Sequence, residues 1–324
     1  MAVAVKSFAK INLGLRIGAL REDGFHGLLT VYQTIALHDV VRVSVGRGGG
    51  IEIRCDDPRV PRDESNTCFR IAEKGMAALG AKGRVVIEIE KRLPVQGGLG
   101  GASANAVATL LGLERAIRKT LSQADKVRLA AEIGSDLPLF LVGGAVLGVG
   151  RGEQVYPLPD FPATPCVVVT PEIGVSTPRA FAEWDRRQAS ASKLTVCSTS
   201  DRMKELGHGL SAWLSGLYSG APSDLVRRRG RAENPLLALV RAGIENDFEQ
   251  VVFPEYPKLG EGKRALVRAG AKYASLSGSG STLYGLFASR QAAASAVTRL
   301  RKAGWAARAT STLTRAAYWR RVGG

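Results

Sequence analysis

Pro94-Val-Gln-Gly97-Gly98-Leu99-Gly100-Gly101-Ala102-Ser103-Ala104-Asn105 is the stretch on which the reading of this chain turns. Its glycines permit positive φ and let the backbone come close to a ligand. It runs directly into Ser103 to Ile117, where Val107, Leu110, Leu111 and Leu113 recur at helical spacing. A helix start presents free N–H groups and the positive end of its dipole, so a glycine loop feeding a helix is a cradle for phosphate. The stretch is neither a Walker A loop, since G-x-x-x-x-G-K-[ST] is absent, nor a Rossmann fingerprint, since G-x-G-x-x-G is absent here. Taken alone it also reads as a plain glycine turn.

Upstream of the loop, Val85, Ile87 and Ile89 alternate with Glu88 and Glu90, which predicts a strand ending at Lys91-Arg92-Leu93-Pro94. Asn66 is a candidate N-cap for a helix to about Leu79. Val3 to Leu15 predicts a strand, and Val40 to Val45 with Ile51 to Ile53 predicts a hairpin around the glycine-rich tip Arg47 to Gly50. Downstream, Ser122-Gln-Ala-Asp125 opens a helix to about Ile133. Pro157, Pro159, Pro162 and Pro165 then punctuate the chain, and a domain boundary is expected near residue 158. Gln188 to Arg231 is Ser- and Arg-rich, a surface excursion with helical pattern at Met203 to Leu217. Helical patterns resume at Asn234 to Val252 and Pro257 to Ala269. A strand pair follows around Ser277-Gly-Ser-Gly-Ser281, then a helix at Gln291 to Ala303. No internal repeat with a period of 20 to 50 residues is present.

At 324 residues, with 45% hydrophobic and 23% charged side chains, the chain has the composition of a globular protein, and its length suggests two domains. No run approaches the roughly 18 apolar residues of a membrane span. The N-terminus lacks the pattern of a signal peptide. Cys55, Cys68, Cys166 and Cys197 are far apart without a C-x-x-C pair, which indicates neither a zinc site nor a disulfide framework; a cytoplasmic location is expected. The net charge of +16 favours anionic partners: nucleic acid, a membrane surface or a phosphorylated small molecule. From Ala288 onward there are eight Lys or Arg and no Asp or Glu, a pattern that also fits a solvated basic face.

Acid–base candidates are few. Asp136 lies in the apolar run Ile133-Gly-Ser-Asp136-Leu-Pro-Leu-Phe, either as an N-cap or as a functional carboxylate. Lys10 interrupts an apolar strand, where it is either an edge residue or the partner of Asp136. The three histidines, His26, His38 and His208, leave little material for a triad or multi-histidine metal site. His26 follows Phe25 in the turn Asp23-Gly24-Phe25-His26, which could stack and hydrogen-bond a planar group or be an incidental loop tip.

Lys10-Ile-Asn12-Leu, Gly24-Phe25-His26, the Pro94–Asn105 loop, Gly134-Ser-Asp136-Leu-Pro and Ser277-Gly-Ser-Gly-Ser281 occur in an order and spacing that resemble the GHMP kinases, over most of the chain from Lys6 to about Phe287. The resemblance implies an α+β, two-domain fold. Residues 1–157 would form an N-terminal ribosomal-protein-like α/β domain carrying the phosphate loop and catalytic residues. Residues 158–324 would form a C-terminal α/β sandwich domain with the second glycine loop, the 188–231 excursion and the basic tail. It implies ATP and Mg²⁺ as cofactors, the phosphates resting on Pro94, Gln96, Gly97, Gly98, Leu99, Gly100, Gly101, Ala102, Ser103 and Ala104. Adenine would lie near Asn66 and Lys91, and no metal ligand is identified. Asp136 would take the proton of an acceptor hydroxyl that Lys10 polarises.

The Phe25-His26 turn and the Asn246-Asp247-Phe248-Glu249 stretch resemble the branch of the family that phosphorylates a tertiary hydroxyl of a cytidine-diphosphate-linked methylerythritol in isoprenoid precursor synthesis. That branch implies cytosine between Phe25 and Phe181, its edge read by His26, with Asn12, Thr177, Gly278, Ser279 and Gly280 completing the substrate site. Some positions depart from the family pattern. Phe25 stands where tyrosine is frequent, Gln96 where glycine is usual, Ala102 and Ala104 where a glycine and a serine are usual, and Asn105 where aspartate is common. Two other readings stand beside this one: a family member acting on another alcohol of the homoserine or mevalonate type, and an RNA-binding module exploiting the positive charge. The latter predicts salt-dependent RNA binding but gives Lys10, Asp136 and the two glycine loops no role. The partner expected is thus a small molecule, with neither membrane nor nucleic acid.

Overall fold

Alternation that starts at Val3 carries past Leu15: β1 (Val3–Leu20) and β2 (His26–Gly46) form one long antiparallel pair closed by the turn at 21–25. The computed structural model describes residues 1–191, 199–219, 235–241 and 244–323. After β2 come β3 (Ile51–Arg54), α1 (Thr67–Ala78), β4 (Arg84–Glu90), α2 (Gly101–Ile117), α3 (Gln123–Ile133), α4 (Leu137–Val142), β5 (Ala145–Val149) and β6 (Gln154–Pro157). The second half holds β7 (Pro165–Val169), α5 (Thr177–Ala191), α6 (Thr199–Ser219), α7 (Pro235–Arg241), α8 (Glu249–Glu255) and α9 (Pro257–Arg268). It ends with β8 (Tyr273–Leu276), β9 (Leu283–Leu286), α10 (Arg290–Lys302), β10 (Ala307–Ser311) and α11 (Arg315–Gly323).

The first sheet has the order β3-β4-β2-β5-β6, with β1 on β2. The expected hairpin of Val40–Val45 with Ile51–Ile53 does not form, because β4 lies between them. It pairs antiparallel to β2, from Val40 opposite Glu90 to Gly46 opposite Arg84, and parallel to β3. The chain does reverse at the glycine tip, but the turn is wide enough to admit another strand whose Val85, Ile87 and Ile89 all face the core. The second sheet, β10-β7-β9-β8, is wholly antiparallel. Mixed helices and antiparallel sheets make the fold α+β.

Helix starts follow their caps. Asn66 accepts from the Cys68 N–H at the start of α1, and Ser122 accepts from Asp125 N–H at the start of α3. The pattern expected to run as one helix from Asn234 to Val252 is broken: α7 ends at Arg241 and α8 begins at Glu249. Between them Leu15 N–H donates to Glu245 O and Asp247 N–H donates to Leu15 O, so this backbone pairs with β1 instead of continuing a helix. Part of the polar excursion forms α6, beginning before Met203. The first residues of the excursion, 188–191, end α5, and the rest of 188–231, including Arg227 to Arg231 and Cys197, lies outside the described residues, as does Asn234.

Helices α1 to α4 cover one face of the first sheet, and α5, α8, α9 and α10 pack against the second sheet; a middle core containing Ile11, Leu13, Val31, Ile35, Val168 and Tyr284 joins the sheets. The C-terminal tail, expected with the second unit, packs back on the first. Tyr318 and Val322 lie in its core and the Tyr318 hydroxyl donates to Phe140 O at 2.7 Å. Cys55, Cys68 and Cys166 are buried free thiols.

One buried carboxylate fixes the approach to the phosphate loop. Asp39 of β2 is fully buried and accepts from Lys91 Nζ at 2.5 Å, from the backbone N–H of Arg92 and of Leu93 at 2.7 Å each, and from Asn105 Nδ2 at 3.0 Å. It ties the end of β4 to the second turn of α2. An aspartate at 105 would set two buried carboxylates against each other, which gives a reason for asparagine there. Asp39→Ala would strand the Lys91 ammonium and two N–H groups, and an expected loss of about 3–5 kcal/mol is measurable by urea unfolding. A loss below about 1 kcal/mol, the scale of an exposed pair, would contradict this account.

Candidate active site

Irregular register in β1 aims the central side chains. Shifts between Phe8 and Lys10 and between Asn12 and Gly14 flank the Lys10–Asn12 segment, so Lys10 and Asn12 face a cleft while Ile11 and Leu13 enter the middle core. Lys10 is 4% exposed. Its Nζ donates to Asn12 Oδ1 at 2.7 Å and lies 3.4 Å from Asp136 Oδ2. Asn12 Nδ2 donates to Thr30 Oγ1 at 2.8 Å, so the Asn12 amide is spent on holding Lys10. Asp136 occupies the residue before α4 but makes no side-chain capping bond; its carboxylate points instead to Lys10 and to Tyr32, whose hydroxyl donates to Oδ1 at 3.0 Å. Burial, reinforced by the Asp136 charge, pushes the Tyr32 hydroxyl well above its ordinary range, so it stays a proton donor.

The two glycine loops interlock beside this pair. Lys10 N–H donates to Leu99 O at 3.0 Å, Ser277 Oγ donates to Gly98 O at 2.9 Å, and Thr282 N–H donates to Gly97 O at 3.2 Å. Gly98 has φ +75°, and a Cβ there would lie 2.1 Å from Ser277 O. Gly278 is equally close to the pair: its Cβ position is 3.5 Å from both Lys10 Nζ and Asn12 Oδ1. Gly280 stays outside the cleft lining and presses its carbonyl toward Gly98. Asn246 holds this second loop, its Nδ2 donating to Leu276 O and Gly278 O. Thr177 Oγ1 and Ser279 Oγ share a 2.7 Å hydrogen bond at the rim.

Two cavities meet at Gly98 and Gly100. One, of about 630 Å³, is lined by Lys10, Asn12, Asp136, Phe25, His26, Arg151, Thr177, Phe181, Gly278 and Ser279. The other, of about 350 Å³, is lined by Asn66, Lys91, Pro94, Gln96, Gly97, Leu99, Gly101, Ala102 and Ser103. Gly100 precedes α2 with φ +69° and no side-chain cap, which leaves the first N–H groups of a 17-residue helix to face a ligand. Gln96, where glycine is usual, adopts φ +57°. The Oδ1 of Asn105, which also lines this cavity, is buried without a partner among the described residues. Such a cradle suits a nucleotide's phosphates.

Several expected contacts are redirected. Ala104 is buried in the first core, so its methyl packs inside instead of facing phosphate. The Asn66 side chain is consumed as the α1 cap and by Pro61 O, and Lys91 is bound to Asp39; both line the cavity with their polar groups already engaged. The His26 ring stacks on Phe181 with centroids 4.9 Å apart and planes at 7°, and its Nε2 lies 2.7 Å from Asp185 Oδ1. His26 therefore already covers one face of Phe181, a ring that was expected to meet a base. Phe25 remains half exposed. Tyr32, Asp39 and Asp185 were absent from the expected set. Asp185 had a legible signal, one helical turn after Phe181; Tyr32 and Asp39, inside an apolar strand, had none.

Residues 66–144 match the GHMP kinases N terminal domain and residues 231–305 the GHMP kinases C terminal family. A 4-diphosphocytidyl-2-C-methyl-D-erythritol kinase of Solibacter usitatus is 38% identical over 89% of this chain and 82% of its own length. One from Rhodococcus jostii is 35% identical, covering 93% of this chain and 89% of the relative. Among solved structures, a 4-(cytidine 5'-diphospho)-2C-methyl-D-erythritol kinase superposes with TM-score 0.72 at 28% identity, over 96% of this chain and 99% of that one. A homoserine kinase from Cytophaga hutchinsonii has TM-score 0.71 at 20% identity, over 97% and 95% of the two chains, a likeness of fold.

Because the Tyr32 hydroxyl holds one carboxylate oxygen of Asp136, Tyr32→Phe should lower kcat about tenfold, the scale of one charge-assisted hydrogen bond, with KM nearly unchanged. Steady-state kinetics with an unchanged thermal midpoint would establish this; wild-type kcat would refute it.

Proposed function

This chain belongs to the GHMP kinases and, within them, to the 4-diphosphocytidyl-2-C-methyl-D-erythritol kinases, and we propose that Lys10 and Asp136 carry its chemistry. It is an ATP-dependent kinase that phosphorylates 4-diphosphocytidyl-2-C-methyl-D-erythritol, a step in non-mevalonate isoprenoid precursor synthesis. In our reading the 2-hydroxyl is the acceptor. The observation that carries the assignment of roles is the junction of the two cavities at Gly98 and Gly100, beside the Lys10–Asp136 pair. A donor on one side and an acceptor on the other can meet only there.

The division of labour follows two units, 1–157 with the phosphate loop and 158–324 with the second glycine loop, the last helix of the latter packing back on the first. The loop from Gly97 to Ser103 and the free N–H groups of α2 hold the nucleotide phosphates. Mg²⁺ bound with them would neutralise charge on the transferred phosphoryl group; among the described residues no group of three or more His, Cys, Asp or Glu side chains is placed to hold a metal ion. The Asp136 side chain, 31% exposed, accepts the proton of the acceptor hydroxyl. Lys10, held by Asn12, sits against that carboxylate and stabilises the developing alkoxide. Phosphoryl transfer asks mostly for positioning and charge, and the buried Lys10 with the partly exposed Asp136 supplies both before substrate arrives.

At the far end Phe25 and Phe181 offer ring faces for cytosine and His26 offers a nitrogen to its edge. The His26–Phe181 stack must open, or cytosine must take the remaining space beside Phe25. Thr177, Gly278 and Ser279 close the wall between the base and the reacting hydroxyl. No helix among the described residues is long and apolar enough to cross a membrane, and the substrate expected in the cleft is a small molecule.

An ADP-release assay with Mg·ATP should show turnover with 4-diphosphocytidyl-2-C-methyl-D-erythritol and none with homoserine or mevalonate. Asp136→Asn is expected to lose about 10²–10⁴ in kcat, the range of general-base catalysis; activity within a few-fold of wild type would remove Asp136 from the chemistry. Phe181→Ala should raise KM for the cytidyl substrate about tenfold, as loss of an aromatic stacking partner does, and an unchanged KM would place the base elsewhere.

A further inference from the structure

Arg151 is a cation of the acceptor cleft that the chemistry above leaves unused. It lies in the turn between β5 and β6, and that turn is built as rigidly as the glycine loops. Leu28 N–H donates to Gly150 O at 2.7 Å, Gly152 N–H donates to Val149 O at 2.9 Å, and Arg151 N–H donates to Glu153 Oε2 at 2.6 Å. Gly150 and Gly152 have φ of +71° and +96°, and a Cβ on Gly152 would lie 2.5 Å from the Tyr32 hydroxyl. The turn therefore sits directly on the tyrosine that holds Asp136. From there the Arg151 side chain reaches back over Phe25, its guanidinium carbon 4.8 Å from the ring centroid. It thus spans from the reacting end of the cleft to the aromatic end.

The charges around it are defined. Lys10 is neutralised by Asp136, and His26 faces Asp185. Arg21, on the neighbouring turn, pairs with Asp23. Arg151 is ion-paired with Glu153, whose Oε1 is 3.9 Å from Nε, beyond hydrogen-bonding distance, and its charge also helps the Arg21 hydrogen bond hold the Asp23 carboxyl below its ordinary range. The Arg151 side chain is 30% exposed, and no hydrogen bond to its guanidinium nitrogens occurs among the described residues. A guanidinium held over an aromatic ring in the wall of the cleft suits bidentate capture of phosphate oxygens.

We infer that Arg151 binds the diphosphate of the cytidyl substrate and so makes the site select a nucleoside diphosphate over a nucleoside. The inference rests on the functional reading above, because it takes the order of groups in the substrate: base, ribose, diphosphate, then the polyol that carries the acceptor hydroxyl. With the base at Phe25 and the hydroxyl at Asp136, the diphosphate crosses the wall on which Arg151 stands. The phosphates of ATP have their own cradle beyond Gly98. Arg151 is then a substrate-positioning residue that takes no part in proton or phosphoryl transfer.

Calorimetric binding of CDP and of cytidine to the full chain, in wild type, Arg151→Gln and Arg151→Lys, separates the possibilities. Wild type should prefer CDP over cytidine by about tenfold or more, the range for hydrogen bonds to a charged group. Arg151→Gln should abolish that preference while cytidine affinity changes less than about threefold, and Arg151→Lys should keep part of it. In turnover, Arg151→Gln should raise KM for the cytidyl substrate with kcat and KM for ATP nearly unchanged. If Arg151→Gln weakens CDP and cytidine equally, the residue acts only by buttressing Phe25 and the inference fails. A wild-type preference retained in Arg151→Gln overturns it alone. A wild type that binds neither ligand overturns the cytidyl reading itself, and the inference with it.

Discussion

Everything at the reaction centre depends on the contact between two loops nearly 180 residues apart in the chain. Gly98 meets the carbonyl of Ser277 so closely that a single methyl group would collide with it, and Ser277 Oγ returns a hydrogen bond to Gly98 O. The Lys10 backbone is tied to the first loop through Leu99 O, and Gly278 of the second loop lies against the Lys10 ammonium. Lys10 is thus held between the loops by main-chain atoms. Main-chain atoms of packed strands shift little, and such rigidity is what a phosphoryl-transfer site needs from its scaffold.

Around this junction the protein commits several charges to its interior and pairs each of them. Asp39 binds Lys91, two backbone N–H groups and Asn105. Asp247 accepts from Ile17 N–H, Arg16 and Arg202; burial lifts its pKa above the usual carboxylate range, against the pull of those donors. These buried groups lie at the seams, where β4 enters the phosphate loop and where the segment before α8 meets β1. An unpaired buried charge is costly, so each pair penalises misalignment at its seam more sharply than an apolar contact would. The same economy explains two departures from the family pattern: Asn105 faces Asp39, and Ala104 faces the core.

Much of the fold was legible because local chemistry announces it. The α2 helix follows from the loop and its apolar spacing, α1 and α3 from Asn66 and Ser122, and the β8–β9 pair from the apolar segments flanking Ser277 to Ser281. The errors share one cause, since each concerned a partner distant in sequence. Val40–Val45 and Ile51–Ile53 read as a hairpin because they are adjacent in the chain, yet β4 from Arg84 onward wins the space between them. The helical pattern across Asn246 gave way because its backbone groups found better partners in β1. The basic tail was attached to the second unit by proximity, but Tyr318 buries itself in the first.

Residue type and spacing by themselves showed that a glycine-rich cradle opens a helix and made Lys10 and Asp136 the acid–base candidates; that Phe25, His26 and Phe181 form an aromatic end was implied by the resemblance to the GHMP kinases. Only the tertiary structure decided what those side chains touch. It spent Asn66 on a cap and Asn12 on Lys10, laid His26 on Phe181, and set Tyr32 behind Asp136 and Arg151 over Phe25. A polar group's partner is the best one within about 3 Å, and in a protein with two sheets and two interlocked loops that partner is set by packing between segments far apart in the chain.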